Sequence, residues 1–167
     1  FIFGLKTECQ SLLKKNKINH AFVHLPLDSC DFGTNVTLMN IIGAKCIKKV
    51  TLENGYYCGR IGMMKNGISY NALVKKVESA CGEKVMHWKY NNRVIKKIGI
   101  VCGGGSSTKD MKEMVDNKCD AYITGEKVLY TIEYAKHVGI NLIVGSHTFT
   151  ELPGVSSLAA IISNDNN

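Results

Sequence analysis

From residue 94 onward the chain repeats one pattern: a short apolar run followed by a helical stretch. The apolar runs fall at 94–102, 121–124 and 141–144, and the helical patterns at 108–117, 126–138 and 150–163. Short strands separated by helices are the mark of βαβ units, which build largely parallel sheets with flanking helices. The first half adds helical patterns at 7–16, 33–42 and 69–80, a strand at 18–25, and a hairpin of strands 47–52 and 56–64. That hairpin turns at Glu53-Asn54-Gly55, where Asn-Gly is a strong type I′ signal. Ser69 stands as a helix cap ahead of Leu73, Val74 and Val77, which recur at helical spacing. The expected fold is α/β, with mixed, largely parallel sheets and flanking helices. It is expected to form two pseudo-similar lobes, residues 1–90 and 91–167, packed as one unit.

Such sheets carry their functional loops beyond the carboxyl ends of the strands. Four of those ends hold polar or glycine-rich residues: Leu25-Pro26-Leu27-Asp28, Gly103-Gly104-Gly105, Thr124-Gly125-Glu126 and Gly145-Ser146-His147. His147 and Glu151 are four residues apart, which puts both on one face if the segment is helical. If the helix instead begins at Thr150, His147 lies in the preceding loop and Pro153 in the first turn, where proline is tolerated. Either geometry lets an imidazole and a carboxylate reach one ion. Read alone, Glu151 is more simply a partner of the helix dipole and His147 a surface residue. Asp28 reads as a metal ligand or a turn former, and His24 as a proton carrier or a satisfied sheet histidine. Gly103, Gly104 and Gly105 could cradle an anion on their N–H groups, or simply make a tight turn. Glu126 is a candidate general acid or base, or a first-turn carboxylate. His20, His87 and His137 have no such company. The chain holds no G-x-x-x-x-G-K-[ST] loop, no G-x-G-x-x-G fingerprint and no G-x-S-x-G elbow.

Charge and cysteine usage narrow the class. The net charge is +7, yet of the 21 basic residues all but Arg60 and Arg93 are Lys. Nucleic-acid surfaces favour the bidentate fork of Arg, and the Lys pairs here are scattered, so nucleic acid is not the expected partner. The seven Cys, at 9, 30, 46, 58, 81, 102 and 119, show no knuckle spacing and suit a reducing, cytoplasmic setting. No apolar run approaches the roughly 18 residues needed to span a membrane. There is no initiator Met, so the chain is expected to begin inside a longer gene product, with an organelle possible if a targeting segment was removed.

Taken together, five ordered segments resemble the NIF-three-like family, also called GTP cyclohydrolase 1 type 2 homologues. They are His24-Leu25-Pro26-Leu27-Asp28 with Gly33-Thr34-Asn35; Gly59-Arg60-Ile61-Gly62; Val101-Cys102-Gly103-Gly104-Gly105; Cys119-Asp120-Ala121-Tyr122-Ile123-Thr124-Gly125-Glu126; and Ser146-His147 through Thr150-Glu151, then Gly154-Val155 and Leu158-Ala159. The resemblance implies a site for two divalent metal ions (Zn, Fe, Mn or Ni) at the mouth of the fold, with Asp28, His147 and Glu151 among the ligands. It also implies an adjacent His-His pair, which would lie upstream of Phe1, and a toroidal homohexamer. Ser146 replaces the family's glycine, and Thr148-Phe149 its Tyr-Ala-like pair. The function expected is a metal-dependent hydrolase of a small molecule, with His24 and Glu126 moving protons and Gly103, Gly104 and Gly105 seating an anion. The alternative is a non-catalytic metal-binding or interaction module.

Overall fold

The structure, a computed structural model, describes residues 6–165. Its elements in chain order are α1 (Thr7–Lys15), α2 (Leu25–Ser29), α3 (Thr34–Ile41), β1 (Ala44–Glu53), β2 (Tyr56–Ile68), α4 (Tyr70–Cys81), β3 (Met86–Trp88), β4 (Ile95–Val101), α5 (Thr108–Asp116), β5 (Ala121–Thr124), α6 (Leu129–Val138), β6 (Asn141–Val144) and α7 (His147–Asp165). Residues 1–5 and the last two of the polar tail lie outside the described residues.

The strands form one sheet in the order β1-β2-β4-β5-β6-β3. Strands β4, β5 and β6 run parallel, as βαβ units require. The hairpin β1–β2 adds to β4 antiparallel, and β3 adds to β6 antiparallel. The mixed α/β class is therefore as expected, but its parallel part is confined to these three strands. The three residues of β3 are too few to show a period in sequence. The sheet also runs unbroken across residue 90, because β2 lies beside β4 and β3 beside β6.

Period-two alternation sends successive side chains to opposite faces. Ile98 and Ile100 of β4, Ala121 and Ile123 of β5 and Ile143 of β6 join one core with Leu38 and Met39 of α3 and Leu73 and Val77 of α4. Val101, Tyr122, Leu142 and Val144 join the other, with Met111 and Met114 of α5 and Ala135 of α6. Both faces are covered, which is why these strands read as unbroken apolar runs. At the hairpin, Asn54 (φ 48°) and Gly55 (φ 86°) are both left-handed, as a type I′ turn demands.

Two expectations fail. Residues 18–24 form no strand. Among the described residues their apolar alternation has no neighbouring strand to pair with, so Ile18, Phe22 and Val23 stay exposed, and Pro26 in the first turn of α2 begins a short helix instead. Asp28 thus rides on a helix, not on a strand end. The helix expected from 126 starts at Leu129, which leaves Glu126 in the preceding loop. In the other direction, α7 begins at His147, so His147 and Glu151 do share a helical face. Pro153 then falls in the second turn.

Helix α7 packs on α3 and α4. Its Gly154 is the point of closest approach: a Cβ there would stand 2.4 Å from Thr34 Cα and 2.5 Å from Thr34 N. Backbone cannot swing aside as a flexible side chain can, so Gly154→Ala must push the two helices apart. We expect a loss of about 1–3 kcal/mol in urea unfolding, the range for overpacked contacts. An unchanged midpoint would show that the helices separate freely.

Candidate functional site

The loops that follow the three parallel strands are laced together. The Gly125 N–H donates to Gly103 O (3.1 Å) and the Gly145 N–H to Thr124 O (3.0 Å). Thr150 of α7, fully buried, accepts the Gly103 N–H at 3.0 Å. Helix α7 is thereby seated with His147 and Glu151 directly above the turn after β4. Gly103 is left-handed (φ 64°), and a Cβ on it would stand 2.1 Å from Glu151 Oε1 and 2.9 Å from His147 Nε2. Glycine is required here both by conformation and by the two side chains that occupy the space.

His147 lies between two carboxylates. Its Nδ1 is 2.6 Å from Glu126 Oε1, and its Nε2 is 3.2 Å from Glu151 Oε1. The hydrogen bond to Glu126, and then the negative charges of Glu151 and Glu126, raise the imidazole's affinity for a proton. Glu151 is pushed upward in pKa by burial, opposed by His147 and reinforced by the Asp28 charge.

Asp28 reaches the same place from α2. It is buried, its Oδ1 accepts from Thr34 Oγ1 at 2.6 Å, and burial raises its pKa against the pull of Thr34, His24, His147 and Arg60. Asn35, fully buried, fixes this corner. Its Nδ2 donates to Asp28 O (3.2 Å) and Cys58 O (2.9 Å), and its Oδ1 accepts the Cys102 N–H (2.9 Å). Beneath it, the Arg60 guanidinium is wholly buried and donates to Ser29 O, Tyr57 O and Gly59 O. These bonds clamp α2 to β2.

His24, Asp28, His147 and Glu151 all face one cavity of about 220 Å³. The structure therefore brings together the three acid and imidazole groups expected of a metal site, with His24 at the rim. Glu126 is behind His147, not in the cavity wall, and of the three glycines only Gly104 lines the cavity. Among the described residues, no three His, Cys, Asp or Glu side chains stand close enough to hold a metal ion by themselves. Sequence reasoning did not single out Thr51, Glu53, Cys58, Cys102 and Asp110 in the wall, or the supports Asn35 and Thr150. Asn35 and Thr150 stand inside the ordered motifs, so a signal for them existed. Thr51 and Asp110 sit in an ordinary strand and helix and carried none.

The chain matches the family model Duf34/NIF3 (NGG1p interacting factor 3) over residues 3–167, and it belongs to that family. It is 31% identical over 160 residues to the GTP cyclohydrolase 1 type 2 homolog of Haemophilus influenzae, covering 94% of this chain and 62% of that protein. The homologue of the same name in Escherichia coli K12 is 29% identical over 161 residues, covering 95% of this chain and 62% of that protein. The chain thus spans less than two-thirds of the length of these curated relatives. Among solved structures, a structural-genomics protein of unknown function, ybgI, superposes with a TM-score of 0.84 at 24% identity, covering 98% of this chain and 64% of that one. Reduced HcgD from Methanocaldococcus jannaschii gives 0.76 at 22%, covering 92% and 60%. Both likenesses concern the fold. No helix among the described residues is long and apolar enough to cross a membrane.

Cys58 gives the cavity a chemical reporter. Burial, then the charges of Asp28, Glu53 and Asp110, push its thiol up to about 11. A thiol at 11 presents about a hundredth of the thiolate of one at the ordinary 9.0, and only the thiolate is the nucleophile. Peptide mapping after iodoacetamide at neutral pH should therefore find exposed Cys9 modified first. Cys58 should be slower, its rate rising about tenfold per pH unit up to about 11. A Cys58 rate equal to that of Cys9 at neutral pH would contradict the buried, acid-flanked setting.

Proposed function

We propose that this chain contributes Asp28, His147 and Glu151 to a centre for two divalent metal ions in a hydrolase acting on a small molecule. The observation that carries this reading is the convergence of one buried aspartate, one buried-edge glutamate and one imidazole on a single cavity. His147 Nε2 and Glu151 Oε1 are only 3.2 Å apart, over a glycine that leaves them room. Burial makes the charged forms of Asp28 and Glu151 unfavourable, and a cation is the partner that would relieve it. The donors thus fit part of a ligand shell, with further ligands needed to complete it. Divalent ions there would supply Lewis acidity.

The remaining roles belong to the chain itself. An ionised Glu126 only accepts hydrogen bonds, so His147 Nδ1 carries a proton toward it, and with a metal ion bound Nε2 would turn its lone pair to the cavity. In this reading Glu126 orients His147. His24, at the cavity rim and within electrostatic reach of Asp28 and Glu151, accepts or returns a proton at its ring nitrogen. The homohexamer implied by the family resemblance is part of the same proposal.

Metal analysis of the full-length protein tests the assignment. Asp28→Ala and Glu151→Ala should each lose at least one bound ion per chain, and Glu126→Ala should weaken binding by roughly 10–100-fold. If both ligand variants keep the wild-type complement, the assignment is wrong. A screen of nucleotides and cyclic amides then separates the two classes of function. Turnover supports the hydrolase, and metal binding without turnover supports a non-catalytic metal-binding module.

A further inference from the structure

The Asp28 carboxylate is held by one of its oxygens and not the other. Gly33 makes the holding possible. A Cβ on it would overlap Leu27 O, so only glycine lets the chain fold back this tightly from α2 into α3. The turn brings Thr34, the first residue of α3, against Asp28. Thr34 is 2% exposed, and its Oγ1 donates to Asp28 Oδ1 at 2.6 Å. A hydroxyl has a single proton to give. Asn35 Nδ2 reaches the same Oγ1 as a donor at 3.4 Å, which engages the acceptor side of the hydroxyl and leaves its proton for the carboxylate. Gly154 of α7 packs on the Thr34 backbone and keeps it in place.

The two oxygens of Asp28 are therefore unequal. Asp28 lines the cavity. Among the described residues its Oδ2 accepts no hydrogen bond, and Oδ2 is not one of the buried polar atoms cut off from solvent without a partner. Oδ2 is thus the oxygen left to the cavity. The difference matters to an ion. Zn²⁺ is usually four-coordinate with carboxylate oxygens at about 2.0–2.2 Å, a small shell that suits one oxygen from each side chain. Ca²⁺ gathers about 6–8 oxygens at roughly 2.3–2.6 Å and gains from taking both oxygens of one carboxylate. A carboxylate with Oδ1 tied to a buried hydroxyl serves the first kind of ion better than the second. The His147 imidazole beside it has the same preference.

We propose that Thr34 is a positioning residue for the ion site: it holds Oδ1 so that Asp28 binds through Oδ2 alone, which selects small first-row ions such as Zn²⁺ over Ca²⁺. The inference rests on Asp28 being an ion ligand, as in the function proposed for the cavity, and adds what decides the ion it takes.

Zn²⁺ affinity by competition with a chromogenic chelator, and Ca²⁺ affinity by titration calorimetry, both on the full-length protein, test it. Thr34→Val keeps the branched shape and loses the hydroxyl. It should weaken Zn²⁺ by roughly 10–100-fold, the effect of removing a group that orients a metal ligand, and leave Ca²⁺ within about twofold. Thr34→Ser, which keeps the hydroxyl, should hold both affinities within about threefold of the wild type. Thr34→Ala removes the hydroxyl without a branched side chain and should repeat the loss of Zn²⁺ preference if Val disturbs the packing. An equal loss of both ions in the Val and Ala variants would mean a general loss of shape and overturn the proposal. So would a Thr34→Ser variant as weak for Zn²⁺ as Thr34→Val. If Asp28→Ala loses its ion while Thr34→Val and Thr34→Ala bind Zn²⁺ as the wild type does, the inference fails and the metal assignment stands. If Asp28→Ala keeps the wild-type ion content, both fail.

Discussion

The site depends on one buried amide. Asn35 stands where α2, β2 and the turn after β4 meet, and at that junction three main-chain groups, Asp28 O, Cys58 O and Cys102 N, point at its side chain. No sheet ladder or helix can satisfy them, because each belongs to a different segment. A side-chain amide, with donors at one end and an acceptor at the other, can. Leaving such groups buried and unpaired costs about 1–3 kcal/mol each. The residue beside it, Thr34, holds the Asp28 carboxylate. The first turn of α3 therefore places both the backbone and the side chain of Asp28, and the Arg60 guanidinium secures the far end of α2 through Ser29 O.

That scaffold holds acids where water alone would not keep them charged. Burial raises Asp28, and burial with the Asp28 charge raises Glu151, while the imidazoles of His24 and His147 only partly offset this. A cavity with such an imbalance favours cations and hydrogen-bond donors. The same balance explains why the cavity's thiols are quiet: Cys58 and fully buried Cys102 are raised by burial first and by neighbouring acids second.

The sequence showed the parallel strands well because both faces of β4, β5 and β6 are buried and their apolar runs end cleanly. The hairpin was legible from Asn54-Gly55, whose turn geometry is local. Residues 18–24 misled, since alternation specifies a strand only where a neighbouring strand exists to pair with. Asp28, His147 and Glu151 were legible because the ends of parallel strands and the i, i+4 spacing both point to them. Asp28 nonetheless reached the cavity by another route, on a short helix. Thr51 and Asp110 were not legible. Their place depends on how the hairpin lies against β4 and α5, a long-range packing that leaves no local period.

Helix α7 ties these levels together. Within eight residues it presents His147 and Glu151 to the cavity, Thr150 to the Gly103 N–H, and Gly154 to the start of α3. His147 and Glu151 are one helical pair at i, i+4, and Thr150 and Gly154 are another. The first pair does the chemistry proposed for the site, and the second fixes where the helix sits. Since Gly154 touches Thr34, and Thr34 holds Asp28, the contact that docks α7 also touches the residue that positions the opposite carboxylate. A slide of α7 by one turn along α3 would break the Thr150 bond, bring a side chain against Thr34, and carry His147 and Glu151 away from Asp28 together. The geometry of the cavity is in this sense set by helix packing, and the wall can carry several acids because the helix contacts that locate it lie outside it.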